Sequence, residues 1–97
     1  MNIIQPSELK ARLAAGEPLS VIDVRENEEV AAGMIAGAKS IPLTEIHTRL
    51  HEIPKEGKVI LVCRSGNRSG KAYAFLETQG FKNLKNMDGG MLAWDEL

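Results

Sequence analysis

Val59-Ile60-Leu61-Val62-Cys63-Arg64-Ser65-Gly66-Asn67-Arg68-Ser69-Gly70-Lys71 carries the chain's single cysteine to the end of a run of four branched apolar residues. An unbroken apolar run of this length reads as a strand of a parallel sheet covered on both faces. The polar, basic residues Cys63 to Arg68 read as a six-residue loop, and Lys71 to Gln79 as the helix that follows. Ligands of open α/β sheets bind just beyond the carboxyl ends of the strands. A cysteine there, beside arginines and ahead of a helix N-terminus, sits where the thiolate is favoured over the thiol. A lone cysteine is more commonly a buried, inert small hydrophobe. Here the six residues that follow it are all polar, charged or glycine, so Cys63 is expected to be hard to bury and reactive.

Outward from this stretch the punctuation is regular. Ile3-Ile4 is a short apolar start, and Pro6 opens a helix through Leu9 and Leu13 that Gly16 stops. Leu19 to Val24 reads as a strand, Asn27 to Gly33 as a short helix, and Ala38 to Ile41 as a short strand closed by Pro42. Leu43, Ile46, Leu50 and Ile53 recur at helical spacing. Ala72, Phe75 and Leu76 line one face of the helix that ends at Gly80; Leu84 marks a last strand, and Asp88-Gly89-Gly90 turns into a final short helix carrying Leu92 and Trp94. Strands alternating with helices predict an α/β fold: a small, mostly parallel sheet of about five strands with helices on both faces, joined by right-handed crossovers.

Ninety-seven residues allow one domain, expected to span residues 1–97, and 43% apolar residues suffice for its core. No apolar run approaches the roughly 20 residues of a spanning helix, and no secretory signal precedes Pro6, so neither membrane insertion nor export is expected. One cysteine forms no internal disulfide, which fits a reducing, cytoplasmic setting. A net charge of −1 argues against nucleic acid as a partner. Arg64, Arg68 and Lys71 nevertheless cluster near Cys63, with no acidic residue between Lys58 and Glu77. The implied ligand is a small anion.

The loop itself suggests how such an anion is held. Successive N–H groups from Cys63 to Arg68 can curl into a nest, with the following helix end behind it. Gly66 supplies conformational freedom, and Ser65, Asn67 and Ser69 are short enough to brace the turn. Cysteine phosphatases and related arsenate reductases place arginine six positions after the cysteine; here that position is Ser69, and arginine stands one earlier, at Arg68. The shorter cradle suits a bound sulfur atom better than a phosphoryl group.

In these features the chain resembles the rhodanese-like domains, specifically the single-domain sulfurtransferases. Leu19-Ser-Val-Ile-Asp23-Val-Arg25-Glu26 is similar to the family's Asp-Val-Arg strand end. Glu29 through Pro42 follows its Gly-His-Ile-x-Gly-Ala segment and Ile-Pro stop, with Met34 in place of the usual histidine. Cys63-Arg-Ser-Gly-Asn-Arg-Ser69 is similar to the active loop; Gly80-Phe81, Asp88-Gly89-Gly90 and Trp94 match the closing pattern.

The resemblance implies sulfur transfer with Cys63 as the nucleophile. Cys63 would take the outer sulfur of thiosulfate or a related anionic donor, form a persulfide, and pass the sulfur to a thiol, protein or cyanide acceptor. Arg64, Ser65, Gly66, Asn67, Arg68 and Ser69 would bind substrate, their N–H groups holding the persulfide anion and the two arginines orienting the donor. No metal or organic cofactor is implied, and a monomer is expected. The alternatives are arsenate-reductase or phosphatase-like chemistry at the cysteine, and a non-enzymatic binding module of the same fold.

Three further features have plain readings. Asp23 and Arg25 sit at another strand end near the same rim; an ion pair or backbone bonds that hold the rim are expected there, with contact to substrate as the alternative. His47 and His51, four apart and with no third ligand, are expected on a solvated face. Trp94 is expected in the core or at a pocket wall.

Overall fold

The computed structural model describes residues 1–97. Its elements run β1 (Ile3–Ile4), α1 (Pro6–Ala14), β2 (Leu19–Asp23), α2 (Asn27–Ala31), β3 (Lys39–Ser40), two 3-10 helices (Leu43–Thr48 and Leu50–Glu52), β4 (Lys58–Val62), α3 (Asn67–Thr78), β5 (Leu84–Met87) and α4 (Gly90–Trp94). The five strands form one sheet in the order β1-β5-β4-β2-β3, and every pairing is parallel.

β4 is central because it is apolar on both faces. Along it the side chains alternate: Val59, Leu61 and Cys63 enter one core layer, Ile60 and Val62 the other. The first layer is closed by Ala72, Tyr73 and Leu76 of α3 and by Ile46 and Ile53; the second by Leu9 of α1 and Met91 of α4. Leu61 is fully buried, and a leucine so placed contributes about 1.5–3 kcal/mol relative to an exposed one.

β2 pairs with β4 along its whole length, Leu19 opposite Lys58 through Asp23 opposite Val62. Their carboxyl ends are thereby level, and Asp23 and Cys63 emerge at the same rim. β5 flanks β4 on the other side, with Leu61 opposite Asn86.

Two expectations change. Residues 43–53 do not form one α-helix but two 3-10 turns broken at Arg49, whose φ of −123° leaves the helical region. The spacing contains the reason: Leu43 and Ile46, and Leu50 and Ile53, are each three apart, the repeat that stacks side chains in a 3-10 helix. The helix expected from Lys71 begins instead at Asn67.

Candidate active site

Cys63 follows the last residue of β4, where the chain turns back over the end of the sheet. Its side chain is not at an open mouth, as the polar sequence suggested: Cys63 is only 1% exposed. The polar residues divide by direction. Arg64, Ser65 and Asn67 face solvent, while Gly66 and Ser69 turn inward and cover the sulfur. The Gly66 N–H donates to Cys63 Sγ at 3.0 Å and the Ser69 hydroxyl lies 3.2 Å from it.

The six-residue loop is shorter than expected, because Gly66 already caps α3 in the left-handed region, at φ 102°. Glycine is required there by the backbone, since L side chains rarely adopt that φ. The Gly70 N–H closes the first turn on the Gly66 carbonyl at 3.1 Å. Arg68 and Ser69 therefore ride on the first turn of α3, and their directions are set by the helix.

The loop is also held from outside. The N–H groups of Met91 and Leu92, at the start of α4, donate to the carbonyls of Cys63 and Arg64 at 2.8 and 3.0 Å. In a trans peptide the carbonyl and the next N–H point opposite ways. With the Arg64 carbonyl drawn to α4, the Ser65 N–H points toward the sulfur. Gly90 permits this approach, since a Cβ there would run into the Arg64 carbonyl.

Burial of Cys63 pushes its thiol upward, but the Ser69 hydroxyl and the backbone N–H groups of Ser69, Gly66 and Ser65 outweigh it, and the net shift is below the ordinary value. The site thus favours a sulfur anion in a place largely closed to water.

The arginines separate. Arg68 is bound two-point by Glu29, Nη1 to Oε1 at 2.6 Å and Nη2 to Oε2 at 2.8 Å. Glu29 comes from α2, outside the acid-free stretch from Lys58 to Glu77, so the fold brings Arg68 the partner its sequence neighbourhood lacks. This corrects the picture of two arginines alike in role: Arg68 is committed to an ion pair, whereas Arg64 is exposed. Lys71 is exposed also.

Asp23 and Arg25 pair as expected, Nη2 to Oδ2 at 2.9 Å, and Arg25 also donates to the Gly33 carbonyl at 2.9 Å. Both are buried, and they tie the end of β2 to the segment after α2. Trp94 is half-buried against the second core layer. His47 and His51 are exposed on separate 3-10 turns, and no three His, Cys, Asp or Glu residues are grouped to hold a metal. Met34 stands 41% exposed. A surface depression of about 250 Å³ lies along β2 and β3, lined by Ser20, Ile22, Lys39 and Glu52, not at Cys63.

Besides Glu29, sequence reasoning missed a second residue. Asn86, on β5, is buried; its Oδ1 lies 2.5 Å from Ser69 Oγ and its Nδ2 donates to the Gly66 carbonyl at 3.1 Å. A polar residue inside a short core strand was the signal available.

A parallel α/β sheet with a cysteine cradled by backbone N–H groups at the end of its central strand defines a class of domain built around a strand-end thiol. The chain belongs to the rhodanese-like domain family, whose model matches residues 5–97. It is 42% identical over 94 residues to a sulfurtransferase of Allochromatium vinosum, covering 97% of this chain and 88% of that one. It is 35% identical over 74 residues to the thiosulfate sulfurtransferase GlpE of Pseudomonas fluorescens, covering 76% and 68%. Its fold is similar to that of a rhodanese-like domain protein from Staphylococcus aureus, with a TM-score of 0.91 at 39% identity over 97% of this chain and 91% of that one. Family and relatives together support sulfur transfer as the general chemistry. No helix is long and apolar enough to cross a membrane.

Proposed function

We propose that the chain is a thiosulfate-type sulfurtransferase working through a persulfide on Cys63. The observation that carries this reading is the convergence of the Gly66 N–H and the Ser69 hydroxyl on Cys63 Sγ. The Gly66 N–H is a donor fixed by the backbone, and the Ser69 hydroxyl lies within reach to donate as negative charge develops on the sulfur.

In the first half-reaction the Cys63 thiolate attacks the outer sulfur of thiosulfate. The new S–S bond forms as the donor's S–S bond breaks, and sulfite leaves with that bond's electron pair. The terminal sulfur of the persulfide then lies among the loop N–H groups. In the second half-reaction a thiolate or cyanide attacks that sulfur, and Cys63 leaves as the thiolate, ready for another cycle. Arg64 attracts the anionic donor from solvent; Asn67, Ser65 and Ser69 shape the rim and base of the cradle, and Arg68 holds the first turn of α3 in place. The thiosulfate part of the reading draws on the likeness to GlpE, the persulfide part on the cradle.

The loop count weighs against phosphatase or arsenate-reductase chemistry, since Ser69 occupies the position of their arginine. Mass spectrometry after thiosulfate treatment tests the proposal. The protein should gain one sulfur atom and lose it to cyanide; Cys63→Ser should do neither. Thiocyanate production by the serine variant at the unaltered rate would overturn it.

A further inference from the structure

Ser69 has one proton and two claimants for it. Its Oγ lies 2.5 Å from Asn86 Oδ1 and 3.2 Å from Cys63 Sγ. The orientation of the Asn86 amide is fixed by its other end: the Gly66 carbonyl, 3.1 Å away, only accepts, so the amide nitrogen must face it. Oδ1 then faces Ser69, and since an amide oxygen carries no hydrogen, the proton between them belongs to Ser69. While the hydroxyl points at Asn86 it offers the sulfur a lone pair. That arrangement suits a thiol, whose S–H donates to Oγ, and it is unfavourable for a thiolate, which needs a donor.

We propose that Asn86 is a positioning residue that holds the Ser69 proton away from Cys63 in the thiol state and yields it when the sulfur becomes an anion. On ionisation the S–H proton leaves to solvent, the hydroxyl turns from Asn86 Oδ1 to Sγ, and the Gly66, Ser65 and Ser69 N–H groups stay where they are. Ser69 is thus a hydroxyl switch, and Asn86 sets its resting position. Asn86 also anchors the carbonyl of Gly66, whose own N–H faces the sulfur.

The inference rests on Cys63 as the reactive group of the proposed function, but its test reads only the thiol. The charged and titratable groups on the elements that meet at this end of the sheet are Arg64 on the loop, Arg68 and Tyr73 on α3, Glu29 and Glu26 of the α2 segment behind Arg68, Asp23 and Arg25 at the end of β2, and Asp88 after β5. All of them are unchanged in the variants compared.

Thiolate absorbance and the rate of iodoacetamide alkylation, both followed against pH, give the Cys63 pKa. Removing the competing acceptor with Asn86→Leu should lower that pKa by about one pH unit, the net worth of one hydrogen bond. In a Ser69→Ala background the same substitution should no longer lower it, because there is no proton to release, and only a rise from the freed Gly66 carbonyl can remain. If Asn86 only braced the loop, its loss would loosen the Gly66 N–H and raise the pKa, the opposite sign. A rise or no change with Ser69 present, or an equal fall in both backgrounds, overturns the proposal. Should Asn86→Leu fail to fold, Asn86→Ala takes its place in the same cycle. In the unaltered protein the Asn86 side-chain amide resonances should move with the Cys63 midpoint and should stop doing so in Ser69→Ala; an amide that ignores the titration overturns the proposal without any Asn86 variant. Failure of sulfur transfer with these shifts intact would count against the proposed function and leave the switch standing.

Discussion

Arg68 and Glu29 are 39 residues apart in sequence and meet in a two-point ion pair of 2.6 and 2.8 Å. Arg68 is on the first turn of α3, next to Ser69; Glu29 is on α2, where its Oε1 also accepts the Glu26 N–H at 3.0 Å. The pair clamps the helix that carries Ser69 to the segment following β2. It also takes one arginine out of the supply of charge for an incoming anion.

This pair should leave an acid signature. The Arg68 hydrogen bonds hold the Glu29 carboxyl down at about 2, from an ordinary 4.5. A carboxyl depressed in the folded state adds stability above its unfolded pKa and loses it as pH falls through the folded one. The contribution is therefore complete above 4.5 and fades toward about 2. Glu29→Gln should lose about 1 kcal/mol or less at neutral pH, the worth of a partly exposed pair. Its stability should also fall less steeply across that acid window. Urea unfolding of both proteins as a function of pH measures the difference; parallel curves would show that the pair adds no stability.

Arg64 and Arg68 should separate in kinetics. Arg64→Ala should raise KM for thiosulfate a few-fold to about tenfold at low salt, with Tm unchanged. That gap should narrow as salt screens the attraction. Arg68→Ala should instead lower stability by about 1–2 kcal/mol, since it strands the Glu29 carboxylate. Steady-state kinetics at two ionic strengths, with melting curves, check both. A silent Arg64→Ala beside an Arg68→Ala that changes KM alone would reverse the assignment.

Gly90→Ala should be among the most damaging single substitutions. Its φ is +59°, and the added Cβ meets the Arg64 carbonyl that α4 holds. The cost should exceed about 2 kcal/mol from clash and strain together, and sulfur transfer should fall sharply as the loop is pushed off its N–H geometry. Gly16→Ala is the control: φ is +81° with nothing within 4 Å. It should cost about 1 kcal/mol of stability and leave turnover intact. Comparable activity in the two variants would mean that the contact with α4 does not shape the loop.

A glycine inserted between Asn67 and Arg68 restores the phosphatase spacing but falls inside the first turn of α3. Either Arg68 and Ser69 rotate by about 100° around the helix, or the extra residue bulges out of the loop. In both cases the donors cease to converge on one sulfur. Thiocyanate formation should collapse, with at most weak aryl phosphate hydrolysis. Native protein that hydrolyses aryl phosphates faster than it makes thiocyanate would show the class to be wrong.

Local patterns made much of the fold legible. The Val59–Val62 run, the Pro6 and Gly16 boundaries of α1 and the Asp88-Gly89-Gly90 turn each carry their physical cause in neighbouring residues, and each element stands where that cause puts it. Less legible were features that depend on direction. The polar string after Cys63 has the composition of an exposed loop, yet it contains the first turn of a helix, because Gly66 reverses the backbone and lets Gly70 bond back to it. Leu43 to Ile53 carries the pattern of one helix because spacings of three and four look alike over a short span.

The sequence by itself determined that a parallel strand ends in a cysteine, that a glycine-containing turn follows it, and that the turn is one residue shorter than a phosphate cradle. Those are properties of consecutive residues, and burial pattern and backbone freedom enforce them locally. Only the tertiary structure decided that Cys63 is covered, that Glu29 claims Arg68, and that Asn86 on β5 competes with the sulfur for the Ser69 proton. The last two contacts join residues 39 and 17 positions apart. Their partners are chosen by which strands lie side by side, and no local spacing encodes that order.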